Sequence, residues 1–144
     1  MREIEFRIRD YDDVWYYGLP TYFNKTENTC AFQSFDHSFF DAFADRKTLC
    51  QYTGLTDKNG TKIFEGDILC MTIKNEWTNN KELKIYYYVK FNDGMFATFY
   101  KDYEDGEFIE IEEDRVCKAL IDVDKLEVVG NIHDNPELIE KVEE

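Results

Sequence analysis

Basic residues are scarce in this chain. Lys and Arg number 17 against 31 Asp and Glu, giving a formal net charge of −14 over 144 residues. Binding to a phosphate backbone needs clustered cations, so direct binding of nucleic acid or of an anionic membrane is excluded from the leading readings. Histidine is scarcer still, with two residues, His37 and His133. Any Ser-His or Cys-His catalytic pair would have to use one of them, and no GxSxG elbow accompanies either. The four cysteines, Cys30, Cys50, Cys70 and Cys117, form no CxxC pair. A structural zinc site needs such close pairs, and with no signal peptide the expected state is reduced, buried thiols behaving as small hydrophobes. Two Pro and seven Gly leave no linker or low-complexity segment. No apolar run approaches the ~18–20 residues of a membrane span, and no GxGxxG or P-loop is present to hold a nucleotide. Together these absences predict a cytoplasmic protein without a cofactor or metal.

Aromatic residues are abundant instead: 12 Phe and 10 Tyr. Such content opposes disorder despite the charge, and a chain of this length buries roughly 68–70% of its unfolded surface. One domain is the default. Ile4, Phe6 and Ile8 alternate with Glu5, Arg7 and Arg9, which reads as a half-buried strand. Val14–Tyr17 is its expected partner across Asp10–Asp13, and Gly18-Leu19-Pro20 is expected to end it. Phe35, Phe39, Phe40 and Phe43 have helical spacing, so a short helix capped by Asp36 is expected within Ser34–Arg46. Leu83–Phe91 alternates over its whole length and is the clearest strand. Its expected outer face carries Tyr86 and Tyr88, side chains suited to an interface. Asn92-Asp93-Gly94 turns into a returning strand. Asp102–Asp114 then holds eight acidic residues and no basic one, with Asp105-Gly106 as the expected hairpin tip. Cys117–Val123 and Leu126–Ile132 read as further short strands. Asn135-Pro136 is expected to open a terminal helix. Short strands at close spacing with tight turns indicate a small barrel or sandwich.

The centre of the chain is Leu49–Leu69, LCQYTGLTDKNGTKIFEGDIL. Asp57-Lys58-Asn59-Gly60 is a turn in which the Asp57 carboxylate accepts from a backbone N–H two residues on. Gly60 supplies the left-handed closing residue. Glu65-Gly66-Asp67 makes a second turn into a strand, Ile68–Ile73, buried on both faces. Asp57, Asn59 and Thr61 imitate the start of a calcium loop. The sixth and twelfth residues are Lys62 and Ile68, where that loop needs Gly and Glu.

The stretch QYTGLTDKNGTKIFEGDIL, with Gln51, Tyr52, Thr53, Gly54, Asp57, Asn59, Gly60, Glu65, Gly66 and Asp67 as its marked positions, resembles the signature of the YopX family of phage and prophage proteins. Ile4–Arg7 with Asp10 resembles the family's opening strand, with Arg9 where an aromatic is common. Glu127–Ile132, including Gly130 and Asn131, followed by Asn135–Leu138 resembles its closing motif. The resemblance implies a bacterial or phage origin and a β-rich fold of the α+β kind, mainly β, with an SH3-like small barrel. On that basis residues 1–58 would hold N-terminal strands and the Phe-rich segment, 59–133 the barrel and 134–144 a short C-terminal helix, all in one domain. It implies no activity.

Two classes of function remain. The first is a non-catalytic phage accessory protein that binds a host or phage protein, or itself, through an acidic or aromatic surface. Tyr86, Tyr88, Asp102, Glu104, Asp105, Glu110 and Glu112 are its candidate residues. A narrower form is an acidic DNA mimic using Asp102–Asp114. The second class is a small metal-dependent hydrolase using Glu65, Asp67 and His133. The first is favoured, because Asp after Gly commonly bonds turn amides and because the motif residues are turn and core types.

Overall fold

The computed structural model describes residues 3–24, 27, 29–36, 42–74, 76, 79–92, 94–104, 107–115 and 125–139. The chain is mainly β, with two antiparallel sheets, and divides into two compact units, Met1–Gly54 and Leu55–Glu144.

The first unit contains β1 (Phe6–Arg9), β2 (Trp15–Phe23), β3 (Thr29–Ser34), β4 (Ala42–Asp45), a 3-10 turn at Arg46–Thr48 and most of β5 (Cys50–Thr56). Their order is β4-β3-β2-β1-β5. The β1–β2 hairpin forms where alternation predicts it, with Arg9 opposite Trp15. Its turn is held by Asp10, whose Oδ1 accepts the N–H groups of Asp12 and Val14 at 2.9 and 3.0 Å. Ile8, Cys30, Phe32 and Ala44 form the core, with Phe6, Tyr16 and Leu49 partly buried against it. Complete burial of Ile8 and Phe32 contributes about 1.5–3 kcal/mol each. Thr48 ties the 3-10 turn to β1: its hydroxyl accepts from the Arg9 N–H at 2.9 Å and lies 2.7 Å from the Asp45 carbonyl.

Two expectations fail in this unit. β2 does not stop at Gly18-Leu19-Pro20 but runs on to Phe23. Pro20 lacks a ladder donor, and the strand accommodates it beside a bulge between Pro20 and Tyr22. The helix expected within Ser34–Arg46 is replaced by strand at both ends: β3 reaches Ser34, and Ala42–Asp45 pairs along β3. Phe favours strands, and an open sheet edge supplies backbone bonds that a short helix of about two turns could not match. The capping residue is Asp45, accepting from the Lys47 N–H at 3.0 Å. His37, Phe39 and Phe40 lie outside the described residues.

The second unit contains β6 (Lys62–Phe64), β7 (Asp67–Ile73), β8 (Leu83–Asn92), β9 (Met95–Glu104), β10 (Glu107–Arg115) and β11 (Leu126–Asn131). Its five-stranded sheet has the order β10-β9-β8-β7-β11. β8 is buried on both faces. Tyr87 and Val89 pack with Ile63, Leu69 and Leu126. Tyr86 and Tyr88 turn to the other side, against Ile68, Ala97, Phe99, Ile132, Leu138 and Ile139.

Among the described residues the sheet stays open, with β10 and β11 as edges, and no closed barrel forms. One face is covered by Ile63 and Leu55 and the other by the segment after β11. That segment is a 3-10 turn, Pro136–Leu138, where a helix was expected. Asn135, the residue before it, makes no capping bond with its side chain and instead presents Oδ1 to the Asn131 N–H at 3.3 Å. Val142 and the strand expected over 117–123 fall outside the described residues.

Candidate functional site

Asp57 is a carboxylate with three backbone donors. Its Oδ1 accepts the N–H groups of Asn59 and Thr61, both at 2.9 Å. Its Oδ2 accepts the Val128 N–H of β11 at 2.8 Å. Burial pushes the carboxyl up, and the bonds from Val128, Thr61 and Asn59, with Lys58 nearby, outweigh it and hold the pKa below the ordinary value. The turn closes as expected, with the Gly60 N–H on the Asp57 carbonyl at 3.0 Å and Gly60 at φ +79°. Docking of this turn onto β11 was not foreseen. The Lys58 N–H reaches the Leu126 carbonyl at 3.1 Å, and the Lys58 ammonium lies 3.7 Å from Glu127.

The Glu65-Gly66-Asp67 turn is equally embedded. Asp67 is buried and its Oδ2 accepts the Phe64 N–H at 2.7 Å. Gly66 donates to the Val89 carbonyl and accepts from the Ile132 N–H, each at 2.8 Å. Asn131 pairs with Asp67 across β11 and β7 and turns the chain with Oδ1, which accepts from His133 and Asp134 at 3.0 and 2.9 Å. A side chain at Gly130 would collide with that of Asn135. The middle and closing motifs thus meet as one set of turns around β7 and β11. Among the described residues no three His, Cys, Asp or Glu side chains converge as metal ligands do.

The other marked positions fall as follows. Gln51 pairs with Phe6, Tyr52 is buried with its N–H on the Glu5 carbonyl at 2.8 Å, and Thr53 and Gly54 continue β5. Tyr88 is buried and its ring lies 6.0 Å from that of Phe99, while Tyr86 is half-buried beside it. In the β9–β10 register Asp102 stands opposite Ile109, Glu104 opposite Glu107, Glu110 opposite Lys101 and Glu112 opposite Phe99. Asp105 lies outside the described residues. Cys30, Cys50 and Cys70 are buried free thiols. Burial pushes the Cys30 thiol up, and Arg46 offsets only part of this, so it is a poor nucleophile.

Sequence reasoning missed a surface of the first unit. Two adjoining grooves, of about 400 and 490 Å³, share Phe35 as a wall. One is lined by Glu5, Val14, Trp15, Tyr16, Tyr17 and Asp36. The other runs along Leu19, Pro20, Thr21, Gln33 and Ser34. Val14, Tyr17, Leu19 and Phe35 are each more than two-fifths exposed. A signal was available: Val14–Phe23 carries large apolar side chains at both parities, more than a strand with one buried face requires.

Comparison with known proteins agrees with this architecture. The family model described as YopX protein matches residues 5–140. A solved structure, that of protein EF1440 from Enterococcus faecalis, superposes with a TM-score of 0.61 at 24% identity, covering 97% of this chain and all of the other. This likeness speaks to the fold alone. No curated protein matches. Among the described residues no helix is long and apolar enough to cross a membrane.

Proposed function

The chain belongs to the YopX family, and from that premise we propose that it is a non-catalytic protein-interaction module, a phage or prophage accessory protein acting in the cytoplasm of a bacterial host. Its partner is a host or phage protein. The observation that carries this reading is the engagement of the motif carboxylates. Asp57 and Asp67 both bond backbone amides inside tight turns, which is architecture, while the exposed aromatic side chains lie elsewhere. The strand order of the second unit, a four-strand meander with β11 returning beside β7, supports reading that unit as an opened SH3-like barrel, a scaffold that hosts many binding functions.

The test is affinity capture of the tagged full chain from its host, followed by reconstitution with the purified candidate. A stoichiometric complex in solution is expected. A chain that captures nothing above the untagged control, in uninfected and infected cells alike, would sink the reading.

One observation favours the hydrolase as a second reading. The Ile132 N–H on the Gly66 carbonyl sets the Glu65–Asp67 turn beside the turn that carries His133. Calorimetric titration of zinc or manganese into the parent and into the Glu65→Gln/Asp67→Asn variant decides between them. Metal heat present in the parent and absent in the variant would favour the enzyme.

A further inference from the structure

We infer that the paired grooves around Phe35 bind a basic segment of a partner protein, one that places a Lys or Arg beside an apolar residue. This deepens the interaction reading and rests on it. The first groove has aromatic walls, Trp15, Tyr16, Tyr17 and Phe35, and the charged side chains among the described residues that line it are the carboxylates of Glu5 and Asp36. Asp36 is held at the rim by the Ser34 hydroxyl, which donates to its Oδ1 at 2.6 Å. Asp10 and Asp12 lie near the Tyr16 phenol. The Tyr16 phenol registers this field: burial pushes its pKa up first, and Asp10, Asp12 and Asp36 add to the rise. Two nearby cations, Arg7 and Arg9, are engaged with the Trp15 ring. Arg7 lies 4.8 Å and Arg9 6.0 Å from the Trp15 ring centre, and Arg9 pairs with Asp13 at 3.6 Å.

Aromatic faces beside carboxylates recognise an ammonium or guanidinium, through the ring quadrupole and direct charge pairing. The second groove, along Leu19 and Pro20, is mostly apolar and shares Phe35 with the first. An extended segment would place its cation against Tyr17, Phe35 and Asp36. A residue two positions on, on the same face of that segment, would enter the Leu19 groove. Charge complementarity selects this occupant. A nucleic acid or an anionic membrane is repelled by a chain of net charge −14. A second copy would bring the same carboxylates against themselves.

The experiment follows backbone amide shifts of the labelled full chain. The probe is a short amidated Gly-Ser peptide bearing Lys, Leu and Lys at alternate positions, beside the same peptide with Glu for each Lys. The Lys peptide should move amides of residues 10–22 and 33–36, and the Glu peptide should move none. Phe35→Ser and Asp36→Asn alter exposed side chains, and an otherwise unchanged amide spectrum verifies their folds. Each should weaken the Lys peptide about tenfold. Equal affinity in parent and variants, no binding of the Lys peptide, or shifts confined to β9 and β10 would each overturn the groove. The last would leave the interaction reading intact, as would a reconstituted partner complex that forms equally well with both variants.

Discussion

At the scale of single residues, Asp57 carries the strongest prediction. Its carboxylate accepts three backbone bonds, two inside the β5–β6 turn and one from β11. Asp57→Ala removes a charged acceptor and leaves the Val128 N–H without it, at a cost of about 2–4 kcal/mol, readable in a denaturant melt. The pH dependence follows from the depressed pKa. A group with a folded pKa below its unfolded value contributes stability above the unfolded pKa, and that contribution is lost as pH falls through the folded pKa. The loss therefore begins below about pH 4 and deepens with acid. Asp57→Asn, which cannot titrate, should lack this part of the acid slope; an identical slope in parent and variant would remove Asp57 from the account. Gly60 gives a cleaner backbone test. A side chain there meets open space, yet φ is +79°, so any cost is conformational. Gly60→Val should destabilise by about 1–3 kcal/mol and Gly60→Asn by much less. Equal melts for these two variants would show that the left-handed turn is not what the glycine provides.

Among the elements, β2 and β3 form the ladder on which the grooves are built, and Gly18 is where it is tightest. A Cβ there would run into the backbone of Gln33 and Ser34, atoms that cannot swing aside. Gly18→Ala is expected to cost about 3 kcal/mol and to lower the thermal midpoint more than Gly60→Ala does. The sequence made most of the second unit legible. Alternation over Leu83–Phe91 and the turns at Asp57–Gly60 and Glu65–Asp67 are local patterns with local causes, and β7 and β8 appear where those patterns require. What stayed hidden depends on partners distant in sequence. Phe35 to Phe43 has helical spacing, but β3 offered β4 an edge, which no local window contains. Tyr86 and Tyr88 read as an outer face because a strand pattern cannot reveal that Ile132, Leu138 and Ile139 cover it. The clamp from Asp57 to Val128 spans 71 residues. Its carboxylate was legible as a turn former, while its second oxygen's partner was not. The Phe35 grooves escaped because β2 was expected to end at Pro20, and the bulge that lets it continue has no strong sequence mark.

For the whole molecule the dominant quantity is charge. A net charge of −14 repels itself in the folded state more than in an expanded chain, so compactness carries an electrostatic cost at neutral pH. Salt screens such repulsion, the Debye length falling from about 30 Å at 0.01 M to about 3 Å at 1 M. Surface ion pairs act oppositely, but pairs such as Arg9–Asp13 and Lys58–Glu127 among the described residues include side chains 77% and 45% exposed, and exposed pairs contribute little. The repulsive effect should therefore win. Raising NaCl from about 0.02 to 0.5 M at pH 7 is expected to raise the thermal midpoint by a few degrees, on a scale of about 3 °C per kcal/mol for a chain near this size. The same titration near the isoelectric point, about pH 4.5, should give almost no rise, since the net charge is then gone. Non-specific salting effects would appear at both pH values and are removed by the difference. A midpoint that falls with salt at pH 7 would mean that attractive pairs, not self-repulsion, dominate this surface. The acidity would then have to be read as an internal stabiliser of the fold, not as a field turned toward a basic partner.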